Sequence, residues 1–155
     1  MFMQTITPFL WYNEDPQTVM NYYLSIFKDG KITSTIPGPG GSLMGGTFEL
    51  LGQKFMLING GPEHANFNES VSFFVSVETQ EEIDYYWDKL TADGGTESRC
   101  GWLKDKYGLS WQIIPSALGK MLGDSDREKA GRAMQAMLGM NKINIQEMRD
   151  AFDGK

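Results

Sequence analysis

The chain has 155 residues, 41% of them hydrophobic and 12% aromatic, enough to bury a core without disulfides or structural metal. A formal net charge of −6 repels phosphate backbones and anionic headgroups, so neither nucleic acid nor membrane is an expected partner. A single cysteine, Cys100, excludes an intrachain disulfide, a single histidine, His64, excludes a His-rich metal site, and no run of ~18 apolar residues offers a membrane span.

The first ten residues, MFMQTITPFL, lack a basic segment ahead of a long apolar run, so the expected location is the cytoplasm. ITPFLWYN (6–13) is rich in β-formers and predicts a strand. DPQTVMNYYLSIF follows, with Asp15 placed to cap a helix, Pro16 at its first position and Val19, Tyr22, Tyr23 and Ile26 at helical spacing. KITSTIP predicts a second strand and PGPGG (37–41) a loop. GGTFELLGQKFMLING predicts a hairpin turning at Gly52 and Gln53, and the polar NGGPEHANFNE (59–69) a linker.

The same order then recurs. SVSFFVSV (70–77) predicts a strand, TQEEIDYYWDKLTADGG a helix with a Thr79–Glu82 capping box, and TESRCGWLKDKYGLSWQIIP short strands broken near Lys104 to Gly108. VMNYYLSIF aligns with EIDYYWDKL through the pairs Tyr22–Tyr23 and Tyr85–Tyr86, which with the matching element order points to a duplicated βαβββ unit. Residues 116–155 predict helices: Ser116 capping ALGKML, then DSDREKAGRAMQAMLGM with an apolar stripe of Ala130, Ala133, Met134, Met137 and Leu138, then IQEMRDAF capped by Asn144 and Glu147. The stripe is expected to cover core, the competing reading being a partner groove.

The two βαβββ units, the Asp before the first helix, NGGP, TQEEIDYYWDKL and CGWLKDKYGLSWQIIP together resemble the PhnB-like branch of the glyoxalase/bleomycin-resistance (vicinal-oxygen-chelate) superfamily, often labelled 3-demethylubiquinone-9 3-methyltransferase-like. The resemblance covers residues 4 to about 150. It implies an α+β protein: a single domain over 1–155, modules over 4–61 and 69–115 forming a curved mixed sheet around a cavity, and a helical extension over 116–155. It also implies a homodimer.

Strand alternation sorts the residues by face. One set, Phe9, Trp11, Phe55, Leu57, Val71, Phe73, Val75, Trp111 and Ile113, is uniformly large and apolar and is expected under helices. The other mixes polar with apolar residues and suits a ligand-lined face. Its candidate ligand-binding residues are Leu10, Tyr12, Met56, Ile58, Ser72, Phe74 and Gln112, with Trp102 added as a stacking platform whose alternative is core packing. The metal ligands of the superfamily would fall on Pro8, Met56, Ser72 and Gln112, a set without carboxylate or imidazole, so no metal and no other cofactor is expected.

Cys100 reads as a nucleophile only with a base beside it, and otherwise as a small buried hydrophobe. Lys104, Asp105 and Lys106 read as a solvated turn, NGGP as a tight strand exit, and PGPGGSLMGG as a connector or a lid. PGPGG leads from strand to strand, unlike the strand-to-helix turn that binds S-adenosylmethionine in doubly wound folds. The expected function is metal-free binding of an unidentified small molecule in the sheet cavity, the alternative a metal-independent or weakly metal-dependent enzyme.

Overall fold

The computed structural model describes residues 4–155. Two units divide the chain, one running to Asn66 and the other Phe67–Lys155, and the division falls inside the polar stretch read as a linker.

In the first unit the elements are β1 (Phe9–Tyr12), α1 (Pro16–Ile26), β2 (Lys31–Pro37), β3 (Leu43–Leu50) and β4 (Gln53–Asn59). The Asp15 carboxylate accepts the Thr18 amide and Pro16 opens α1, so a capping residue and a proline with no amide to satisfy start the helix where the sequence places it. The strands lie in the order β1-β4-β3-β2, with β1 parallel to β4 and the other pairs antiparallel. Val19, Met20 and Tyr23 of α1 are buried with Phe48 and Leu57 of the sheet, and the Tyr23 and Phe48 rings stack at 6.0 Å. The hairpin turns at Leu51 and Gly52, one residue earlier than expected. Both have positive φ, 48° and 79°, as a two-residue turn of matching twist requires.

The second unit repeats the plan with β5 (Ser72–Val77), α2 (Gln80–Thr91), β6 (Thr96–Glu97), β7 (Trp102–Lys104) and β8 (Ser110–Pro115), in the order β5-β8-β7-β6. Here too the first and last strands are parallel neighbours. The Thr79–Glu82 capping box is formed, and Ile83, Trp87 and Leu90 of α2 are buried with Val75, Leu103, Trp111 and Ile113. Val71, expected in that core, precedes β5 and is exposed, because the strand begins only at Ser72.

The extension forms α3 (Ser116–Leu122), α4 (Arg127–Leu138) and α5 (Ile145–Asp153), and it belongs to the second unit. The Gln80 side chain on α2 accepts from the Ile145 amide at 2.9 Å and donates to the Ile143 carbonyl at 3.1 Å. The Cys100 and Gly101 amides donate to the Met140 and Asn141 carbonyls at 2.8 Å. These bonds satisfy backbone groups that burial would otherwise orphan, while buried Ile143 and Met148 each contribute roughly 1.5–3 kcal/mol.

Asn144 caps α5 as expected, and Asp126 caps α4. Ser116 does not cap α3: it is the first helical residue, and its hydroxyl donates to the Glu78 carboxylate at 2.6 Å. The α4 stripe is core only at Ala130 and Ala133; Met137 is half-buried, and Met134 and Leu138, although on the same side of the helix, are exposed.

Candidate functional site

The site is built from the alternation of β8. Trp111 and Ile113 are buried in the core with α2, so Ser110, Gln112 and Ile114 lie on the opposite face of the sheet. Strand register then sets the neighbours of Gln112. Phe74 stands opposite it on parallel β5, and Trp102 opposite it on antiparallel β7. An aromatic–amide–aromatic row results, its outer strands about 10 Å apart at the usual strand spacing. The Gln112 amide donates to the Ser72 hydroxyl at 2.9 Å, and its carbonyl oxygen accepts no hydrogen bond among the described residues. The Ser110 hydroxyl, two residues along the same face, is buried and unpartnered among the described residues.

A cleft of about 350 Å³ opens over this row. Its sheet wall holds Phe74, Ser76, Trp102, Gln112 and Ile114, together with Cys100 from the loop before β7. Its second wall is helical, made by Leu118, Gly119 and Leu122 of α3 with Met137 of α4. None of these residues was singled out in the sequence for the site. The available signal was Gly119, a glycine inside a short helix.

Asp105 corrects the reading of Lys104, Asp105 and Lys106 as a solvated turn. It is 1% exposed and accepts hydrogen bonds from the Tyr107 amide at 2.9 Å, the Leu109 amide at 3.1 Å and the Trp111 indole at 2.9 Å. One buried carboxylate therefore shapes the β7–β8 turn and orients the residue before Gln112. Lys104 pairs with Glu69, which holds the Glu69 carboxyl below its ordinary range.

In the first unit, two expected ligand-binding residues are corrected. Leu10 pairs with buried Leu57, and the buried Tyr12 hydroxyl meets the Tyr23 hydroxyl at 2.8 Å, so both face α1 as core. Phe9 and Trp11, expected in the core, take the other face with Met56 and Ile58, and Phe9 is 54% exposed. Both sets of β1 side chains are apolar, so hydrophobicity carries no face signal there. His64 packs edge-on against Trp11 at 5.1 Å, while the Trp11 indole donates to the Gly61 carbonyl at 2.8 Å. A Cβ on Gly60 would lie 2.2 Å from the Trp11 ring, which accounts for the adjacent glycines of NGGP as a strand exit closed over tryptophan.

The family described as 3-demethylubiquinone-9 3-methyltransferase matches residues 4–114. The chain belongs to that family. A solved structure described as a putative 3-demethylubiquinone-9 3-methyltransferase, PhnB protein, from Bacillus cereus is 34% identical over 73% of this chain and 100% of its own, with a TM-score of 0.65. The protein PA1353 from Pseudomonas aeruginosa (16% identity, 73% of this chain and 98% of that chain, TM-score 0.60) shares the fold. So does the fosfomycin resistance protein FosX from Listeria monocytogenes, described in complex with Mn(II) and sulfate (15% identity, 79% and 99%, TM-score 0.56). No curated protein matches the chain. The 3-demethylubiquinone-9 3-methyltransferase family match ends inside β8, so α3, α4 and α5 lie beyond it.

The donor chemistry at the superfamily's ligand positions does not fit a divalent metal. In the first unit the residue opposite Met56 is Phe9, not Pro8, and neither Phe9 nor Met56 offers a hard donor. In the second, the Ser72 hydroxyl is engaged by Gln112, leaving one neutral amide oxygen. Among the described residues no group of three or more His, Cys, Asp or Glu is placed to hold a metal ion. No helix among them is long and apolar enough to cross a membrane.

Proposed function

We propose that this member of the 3-demethylubiquinone-9 3-methyltransferase family binds a small molecule on the open face of its second sheet, without a metal. The single observation that carries the reading is the row Phe74–Gln112–Trp102, two aromatic surfaces flanking an amide oxygen with no protein partner among the described residues. Apolar lining with one or two fixed polar groups is the usual make-up of small-molecule sites, and 350 Å³ falls in their size range. Phe74 is 59% exposed, so its ring is open to a ligand at the mouth of the cleft.

The test is a small-molecule screen on dialysed protein read by tryptophan fluorescence, alongside elemental analysis. Phe74→Ala and Gln112→Ala each weaken a hit at least fivefold. A hit indifferent to both substitutions, or affinity that requires an added divalent metal, defeats the reading. Sedimentation of the same samples measures the expected homodimer.

A second reading, catalysis without a metal, is favoured by Cys100, which places a thiol in the cleft wall at a backbone φ of 58°. Turnover of a bound compound that Cys100→Ser abolishes while binding persists would establish it. The methyl transfer named in the family description finds no support in PGPGG. That segment joins two antiparallel strands through a 3-10 turn at Pro39–Gly41 and does not open a helix behind a strand.

A further inference from the structure

We infer that the cleft takes an uncharged aromatic molecule bearing a hydrogen-bond donor, and that Gly119 of α3 sets the size it admits. The inference rests on the small-molecule reading above and adds a ligand class and a specificity-determining residue.

Among the described residues, the lining contains no Asp, Glu, Lys, Arg or His. A charged ligand entering it would lose water without gaining an ionic partner, a cost that neutral ligands escape. Phe74 and Trp102 offer ring faces on both sides of Gln112, and the amide oxygen between them calls for an N–H or O–H on the ligand.

The second wall is the face of α3. Pro115, Leu118, Gly119 and Leu122 recur at helical spacing, so all four share the side of the helix turned to the cleft. Gly119 lies near the middle of that face. A Cβ built on it meets nothing within 4 Å, so no close contact in the protein requires a glycine. Its backbone is helical, where glycine is disfavoured relative to alanine. Its missing side chain therefore serves no packing need, and the volume it leaves is volume of the cleft. α3 itself lies beyond the family match at residues 4–114.

The test uses two probes that differ by one charge. N-phenyl-1-naphthylamine is neutral, aromatic and carries one N–H, and 8-anilinonaphthalene-1-sulfonate adds a sulfonate to the same skeleton. The full chain is expected to bind the neutral probe saturably, at least tenfold tighter than the sulfonate. Gly119→Leu fills the cleft and weakens the neutral probe at least tenfold, with the circular dichroism spectrum unchanged. Gly131→Leu, on α4 and likewise free of close contacts, leaves binding intact and controls for the gain in helix propensity. Equal affinity for the two probes, or full affinity in Gly119→Leu, overturns the inference. If Phe74→Ala and Gln112→Ala abolish binding while Gly119→Leu and the sulfonate change nothing, the inference falls and the binding reading stands. If none of the three substitutions matters, both fall.

Discussion

Asp105 accepts the indole N–H of Trp111 at 2.9 Å, with both side chains buried, and so joins the β7–β8 turn to the strand that carries Gln112. The same carboxylate holds the Tyr107 and Leu109 amides. Asp105→Ala strands two buried donors and a half-buried one and is expected to cost about 3 kcal/mol by denaturant unfolding. Trp111→Phe removes one bond and the pyrrole part of the buried indole, for roughly 1.5–3 kcal/mol. A loss under ~0.5 kcal/mol in both would show that water replaces the carboxylate there.

Two glycines of the second unit are expected to respond in opposite directions to alanine. Gly101 has φ 82°, and a Cβ there would lie 2.5 Å from Ile114 Cδ1 and 3.0 Å from the Ile113 carbonyl. Gly101→Ala is expected to destabilise by on the order of 1–3 kcal/mol, from backbone strain and the clash together. Gly119→Ala meets open space in a helix and is expected to stabilise by about 0.4–1 kcal/mol. Paired thermal melts read both signs directly.

Asp84 and Glu82 on α2 set an acid response. A hydrogen bond from Lys142, 3.0 Å away, holds the Asp84 carboxyl below its ordinary range, with Gln80 adding a second bond. The backbone amides of Glu78 and Thr79 do the same for Glu82. A carboxyl depressed in the folded state contributes stability that is complete above its unfolded pKa and is lost as pH falls through the lower folded value. Melting temperature is therefore expected to hold down to about pH 5 and fall below about pH 4. Asp84→Asn flattens part of that fall at a cost of no more than about 1 kcal/mol near neutrality, since both partners are more than a third exposed. An unchanged acid profile in the variant would remove Asp84 from the account.

Ser72→Ala tests how the amide of Gln112 is held. Losing the hydroxyl frees the Gln112 side chain to rotate and is expected to weaken a cleft ligand by about three- to tenfold, equivalent to roughly 0.6–1.4 kcal/mol, with little change in folding stability. Equal affinity in Ser72→Ala and the parent would mean the ligand itself orients the amide.

Much of the second module was legible because its residues alternate in polarity. SFFVSV and SWQIIP pair apolar residues that face α2 with Ser72, Phe74, Ser76 and Gln112 on the other side, and the structure keeps that assignment. FLWY gave no such contrast, and Leu10 and Tyr12 exchanged faces with Phe9 and Trp11. Asp105 was hidden between two lysines. An Asp two residues before Tyr107 and three before Gly108 is a turn signature, yet its burial depends on Trp111 arriving from the next strand.

Local chemistry written in the sequence determined the order of elements, the caps at Asp15, Thr79 and Asn144 and the duplication itself, since spacing and capping act within a few residues. Tertiary structure alone decided which face of β1 is buried, which of the α4 methionines meets the cleft, and that α3 stands beside Gln112 as its second wall. Those outcomes depend on which surfaces are packed together, and residues distant along the chain set that.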